Sequence, residues 1–203
     1  MLRRRFLAIS ALLASGRLAA AERDLWQRLQ EGGYVLLIRH AATHPGIGDP
    51  PGFRLAVCST QRNLSDQGRR DARTIGVAFR ERGIPLGPVL SSRWCRCLDT
   101  ARLAFGRVEE APMLDSLFRD SGAAARAKTR EVLDRAAAWR GNKANLVLVT
   151  HDVNIRALVN EYVAQGEIVV ARPGPDRLEV LGRLDAQDLG VQEFAYSLTG
   201  DCL

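Results

Sequence analysis

The apolar run Tyr34-Val35-Leu36-Leu37-Ile38 breaks off at two ionisable side chains, Arg39 and His40. Continuous apolar runs of this length fit strands covered on both faces, so this one is expected to deliver Arg39 and His40 from its end. Leu146-Val147-Leu148-Val149-Thr150 repeats the arrangement, ends in His151 and leads into a helical pattern from Val153 to Val163. Elsewhere the period is helical: Asp24 to Gln30 reads as a short helix closed by Gly32-Gly33. Ser65 is a good N-cap, with Asp66 at the positive end of a helix running to about Arg82 and stopped by Gly83-Ile84-Pro85. Val89-Leu90-Ser91 reads as a strand, Trp94 to Ala104 as a helix, Arg107-Val108-Glu109 as an edge strand, and Ala123 to Trp139 as a helix ended by Gly141-Asn142. Glu167 to Arg172 and Leu178 to Leu184, around Pro173-Gly174-Pro175-Asp176, read as a hairpin at a sheet edge.

Strands alternating with helices predict an α/β three-layer sandwich: a mainly parallel central sheet, helices on both faces and an edge hairpin. Open parallel sheets bind ligands outside the carboxyl ends of their strands, so His40 and His151 are expected to converge on one pocket. His40 to Gln61 is expected to be a long loop, and a loop of that length in a compact domain is usually a lid or a binding element.

Four segments, in order, carry a family resemblance. They are Arg39-His40-Ala41, Asn63-Leu64-Ser65-Asp66-Gln67-Gly68-Arg69, Ser91-Ser92-Arg93-Trp94-Cys95-Arg96-Cys97-Leu98-Asp99-Thr100-Ala101, and Val149-Thr150-His151-Asp152. Together they resemble the histidine phosphatase (phosphoglycerate mutase-like) superfamily, over a span from about Tyr34 to Val163. The resemblance implies that His40 is the nucleophile, that Arg39 and Arg96 bind phosphate, and that His151 lies opposite His40 as a donor to a phosphate oxygen. It implies the same sandwich, no cofactor and no metal. Arg93 competes with Arg96, but Thr100-Ala101 sets a register that favours Arg96. The leaving-group acid falls near Asp115, with Glu109 and Glu110 as alternatives, while some members that act on phosphohistidine manage without it. Thr43 and His44 are candidate substrate contacts, and Asp152 and Asn154 are expected to cap the helix after His151. Ala41, Cys97 and Asp152 depart from the family's glycine, alanine and glycine.

These residue types suit phosphoryl transfer. A neutral imidazole can attack phosphorus and form a phosphohistidine that water then hydrolyses, and neighbouring cations favour that neutral form. Guanidinium groups grip the three equatorial oxygens on which charge accumulates. The expected activity is a phosphoric monoester hydrolase of the histidine acid phosphatase type, acting on a small-molecule or macromolecular phosphate such as a sugar phosphate or a phosphoprotein. One rival is a metal hydrolase using His40 and His44, which have the spacing of two zinc ligands on a helix but lack the usual glutamate between them. The other is a phosphate-binding module without turnover.

Composition changes the picture in three places. A chain of 203 residues, 46% hydrophobic and without a repeat, fits one domain, taken as 22–203. Residues 1–21 read as an export signal, with Arg3-Arg4-Arg5, the apolar stretch Phe6 to Ala14 and the small residues Ala19-Ala20-Ala21; Arg3-Arg4-Arg5-Phe6-Leu7 also resembles the twin-arginine pattern. That apolar stretch is too short to span a bilayer, so no stable membrane insertion is expected after signal removal, and the protein is expected in the periplasm or outside the cell. The formal charge of +6 includes the signal's arginines, and no basic run with interleaved aromatics follows it, so nucleic-acid binding gains no support. An oxidising compartment permits a disulfide among Cys58, Cys95, Cys97 and Cys202. A bridge from Cys58 to the Cys95–Cys97 stretch fits, with the connectivity left open.

Overall fold

The computed structural model describes residues 22–189; the expected export signal and Cys202 lie outside them. A helix over residues 22–31 (α1) precedes β1 (Val35–Arg39). Then follow α2 (Asp66–Glu81), β2 (Leu86–Ser91), α3 (Cys95–Phe105), β3 (Glu109–Glu110), α4 (Gly122–Ala137), β4 (Asn145–Thr150), α5 (Asp152–Val159), β5 (Ile168–Pro173), β6 (Leu178–Leu184) and a last turn, α6 (Ala186–Leu189). The six strands form one sheet in the order β3-β2-β4-β1-β5-β6. The first four of that order run parallel, and β5 and β6 add an antiparallel hairpin on the β1 side.

Alternation along the strands divides the core in two. Leu36 and Ile38 of β1 and Val147 and Val149 of β4 pack with Leu25, Trp26, Ile75 and Phe79 under α1, α2 and α3. Val35, Leu37, Leu146 and Leu148 point the other way, onto Val132, Ala136 and Ile155 of α4 and α5. Because both faces are covered, the two central strands are apolar at every position up to their ends. α2 begins where its sequence says it should, with the Ser65 side chain accepting from the Gly68 amide at 3.1 Å. Its buried residues Ala72, Ile75, Ala78 and Phe79 recur at the helical period.

Three expectations shift. The helix expected from Val153 to Val163 ends at Val159, where Asn160 takes a left-handed conformation with φ 58°. β2 starts three residues earlier than Val89, through Gly87-Pro88, and its register with β4 is irregular between Leu86 and Val89, as a proline without an amide hydrogen requires. The edge strand is Glu109–Glu110 rather than Arg107–Glu109, set by pairing with Leu90 and Ser91.

Candidate active site

β1 and β4 are neighbours, parallel, with Arg39 level with Thr150. Their next residues, His40 and His151, therefore leave the sheet side by side, with ring centroids 5.6 Å apart and planes at 68°. The His40 amide donates to the Thr150 carbonyl at 3.0 Å, and the next amide, of Ala41, donates to the Thr100 hydroxyl at 3.0 Å. Thr100 in turn donates to the Arg96 carbonyl at 2.7 Å, which ties the turn after His40 to α3. α2 abuts the same turn: the Ser65 amide donates to the Ala42 carbonyl at 3.0 Å, and a Cβ on Gly68 would lie 1.9 Å from that oxygen. Only glycine fits there.

His40 is 3% exposed. Its Nδ1 sits 2.9 Å from the Ala41 carbonyl, which can only accept, so the ring hydrogen is on Nδ1 and the Nε2 lone pair is left for chemistry. Burial first, then the charges of Arg96, Arg39 and Arg62, lower its pKa to about 3, against the smaller raising effect of the Ala41 bond. The imidazole is therefore neutral throughout ordinary pH. Burial and His40, with the same arginines, also push His151 well below its usual value. Its Nε2 lies 2.9 Å from the Ser92 hydroxyl and 3.6 Å from the Cys97 sulfur. Burial pushes the Cys97 thiol up to about 12, so it stays protonated and packs as a small hydrophobe.

Arg39 and Arg96 line the cleft in front of these rings, and a third arginine, Arg62, joins them. Among the described residues the Nε groups of Arg39 and Arg96 are buried donors without a protein acceptor. Arg39 also donates to the Val163 carbonyl at 2.6 Å. Arg62 donates to the Thr43 hydroxyl at 2.7 Å and to the Gly46 and Gly48 carbonyls at 2.9 and 2.8 Å, so it knits the long loop to the site. Burial, and after it the charge of Arg96, lowers the Arg62 pKa.

The same loop places a carboxylate on Arg96. Asp49 accepts from Arg96 at 2.7 and 3.4 Å, from the Trp94 indole at 2.8 Å and from the Arg62 amide at 3.0 Å. Burial opposes ionisation of Asp49, yet the bonds from Arg96 and Trp94 outweigh it and hold the carboxyl below its usual value. A disulfide between Cys58 and Cys95 pins the loop to the first residue of α3, directly before Arg96. No side chain at the N-cap caps α3; the Gln61 side chain from the loop accepts its Cys95 amide at 3.0 Å.

Asp115 is buried in the cleft wall and accepts from Arg93: its amide at 2.9 Å, Nε at 2.8 Å and Nη2 at 2.5 Å. The Ser92 hydroxyl lies 3.4 Å from Asp115 and 2.9 Å from His151, so these three form a chain. Arg93 is thus the partner of the acid candidate. Glu109 and Glu110 are exposed on the edge strand, away from the cleft.

Thr43 accepts from Arg62 and from the Gln165 side chain at 3.1 Å, which positions the arginine. His44 is exposed and does not line the cleft; with Pro45 and Arg69 it borders an adjoining hollow that shares Asp49 and Arg62 with it. Residues 40–44 form no helix, so His40 and His44 do not share the helical face that the metal-hydrolase reading needs. Neither Asp152 nor Asn154 caps α5: Asp152 accepts from the distant Val163 amide at 3.3 Å. Asn154 donates to the Leu114 and Asp115 carbonyls at 3.4 and 3.0 Å, holding the Asp115 segment against the helix.

No protein-family model matches the sequence, and no curated protein matches it. Solved structures do share its fold. The alpha-ribazole phosphatase from Shigella flexneri matches with a TM-score of 0.55 and 16% identity, over 72% of this chain and 94% of that one. The phosphoglycerate mutase from Thermus thermophilus matches at 0.52 and 24% identity, over 74% and 98%. A protein assigned as the phosphohistidine phosphatase SixA, from Agrobacterium tumefaciens, matches at 0.50 and 21%, over 74% and 96%. The chain shares their fold, a phosphoglycerate mutase-like three-layer sandwich.

Proposed function

We propose that this chain is a phosphatase that hydrolyses phosphomonoesters or phosphoramidates through a phosphohistidine on His40. The observation that carries the reading is a neutral, buried His40 whose hydrogen is fixed on Nδ1, facing a cleft lined by Arg39, Arg62 and Arg96. The Nε2 lone pair attacks phosphorus and forms the P–N bond while the P–O or P–N bond to the leaving group breaks. Water then attacks phosphorus, the P–N bond breaks, and inorganic phosphate and a neutral imidazole result. The arginines meet charge on the equatorial oxygens, and their preformed positions help the transition state most. His151, next to His40, donates to a phosphate oxygen.

The leaving alkoxide takes a proton, and we assign it to Asp115, buried and joined through Ser92 to His151. Its bonds to Arg93 have to loosen before it can donate. The neighbours named for alpha-ribazole phosphate and for phosphohistidine support a reading that includes both ester and phosphoramidate leaving groups. The finer reading, a histidine acid phosphatase-type monoesterase acting in the periplasm or outside the cell after removal of residues 1–21, belongs to the same proposal and accords with the disulfide. N-terminal sequencing of the protein from its native host should begin near Glu22; an intact Met1 on cytoplasmic protein would overturn the export part.

The test of the chemistry is direct. Brief reaction with substrate followed by an alkaline quench should leave acid-labile phosphate on His40, and His40→Ala should abolish it. Phosphate on another residue, or turnover that chelators abolish and zinc restores, would sink the mechanism.

A further inference from the structure

Resting on the phosphatase reading, we propose that the outer half of the cleft is a leaving-group subsite for a flat, unsaturated ring. The phosphoryl group needs only the floor, where the two histidines and three arginines meet. The cleft as a whole has a volume of about 560 Å³, a size that encloses a drug-sized molecule. What lines the remainder is therefore evidence of what the phosphate is attached to.

One wall is a ladder of π-systems that climbs away from the reaction centre. The Trp94 ring lies 5.4 Å from His151, Phe53 lies 5.9 Å from Trp94, and the Arg119 guanidinium sits 5.3 Å over Phe53. Trp94 is held by its indole bond to Asp49, next to the disulfide at Cys95, so this wall is set before any ligand arrives. At the mouth stand Phe118, 67% exposed, and Ile47, 97% exposed, two of the three exposed large apolar side chains among the described residues. Both border the same cleft.

The polar groups of this half are committed elsewhere. Arg93 is paired with Asp115 and Lys128 with Asp120, whereas Arg119 forms no ion pair among the described residues. A sugar body, which needs an array of free donors and acceptors, finds few here. A conjugated ring finds what it pairs with best: aromatic rings in edge or tilted contact, and a guanidinium without a carboxylate partner, already stacked on the last of them. The assigned class is thus a phosphate ester of an aromatic or heterocyclic group.

The test compares two non-hydrolysable probes of equal bulk, naphthylmethyl phosphonate and decahydronaphthylmethyl phosphonate, by calorimetry on the full chain. Bulk and headgroup cancel, and planarity remains. The flat probe should bind about tenfold more tightly, the size expected of a few aromatic contacts. The pair Phe53→Ala and Phe118→Ala should bring it down to the saturated probe while leaving the latter nearly unchanged. Phe118→Ala alone, at an exposed side chain that carries no core contact, should show part of the loss even if Phe53→Ala folds poorly. Equal binding of the two probes, tighter binding of a sugar phosphonate, or equal losses on both probes would overturn the subsite. Turnover is read separately on aryl and alkyl phosphates and on a phosphoramidate: hydrolysis of none of them, with the planar preference intact, would refute the phosphatase reading and leave the subsite standing as a binding site.

Discussion

Asp49→Ala removes the carboxylate from an ion pair whose side chains are only 7% and 5% exposed. Arg96 then stays buried with the Arg62 carbonyl, at 3.4 Å, as its remaining acceptor. Breaking a buried pair by deleting one partner costs about 3–5 kcal/mol, and since the cleft lets water reach Arg96 the lower end, about 3 kcal/mol, is expected. The same deletion frees a guanidinium for phosphate. In the parent protein an incoming phosphate shares Arg96 with Asp49; in the variant it has Arg96 to itself, and its binding should tighten about tenfold, or about 1.4 kcal/mol. Phosphate in large excess stabilises the folded state by linkage, about 2.7 kcal/mol at a hundred times Kd. It should therefore restore most of what the variant lost and do less for the parent at the same concentration. The assay is equilibrium urea unfolding of both proteins with and without phosphate. Asp49→Asn, which keeps a neutral acceptor, should fall between the two. A loss below about 1 kcal/mol, or equal stabilisation of parent and variant by phosphate, would refute the claim that Asp49 and phosphate compete for one cation.

Three further outcomes are expected. His40 and His151 are held neutral below the ordinary histidine value, so as pH falls through about 6.5 the unfolded chain takes up protons that the folded chain refuses. Stability should drop between about pH 6.5 and 4, by up to about 1.4 kcal/mol per pH unit for each ring, and His151→Asn should remove about half the slope; a flat profile in urea titrations across that window would contradict the burial argument. Asp115→Asn should depress turnover of alkyl phosphates about 100-fold but barely affect nitrophenyl phosphate, whose leaving group needs no proton; equal losses would make Asp115 a holder of Arg93 and Ser92. Gly68→Ala drives a methyl group into the Ala42 carbonyl and should cost about 1–3 kcal/mol together with much of the activity; full activity in the variant would mean that the turn after His40 tolerates movement.

The central strands were legible because a strand covered on both faces has no polar residue to confuse its reading, and their ends announced His40 and His151 directly. The Ser65 cap and the hairpin were legible for local reasons as well. The rest depended on distance. Asp49 and Arg96 are 47 residues apart and meet only because the loop folds back over α3. Arg62 stands one residue before a quoted motif, but what marks it is a set of loop carbonyls that no local pattern announces. Cys95 and Cys97 could not be told apart in sequence, although two helical steps of about 100° turn them to opposite sides, Cys95 to the loop and Cys97 to the core. Asn154 was misread because a short amide side chain near a helix start can cap it, and here the carbonyls of Leu114 and Asp115 bind it instead.

The Cys58–Cys95 bridge has a consequence for when the protein works. Neither cysteine contributes to the strands, and the two packed faces of the sheet close without help from the bridge. What it fastens is the roof of the cleft: the stretch carrying Asp49, Phe53 and Arg62, clamped one residue from Arg96. A newly made chain can thus own a finished scaffold and still have a slack roof. If oxidation is what tightens this roof, dithiothreitol should lower phosphatase activity at concentrations that leave the helical signal in circular dichroism untouched, and unchanged activity would show that the hydrogen bonds of Asp49, Gln61 and Arg62 hold it alone.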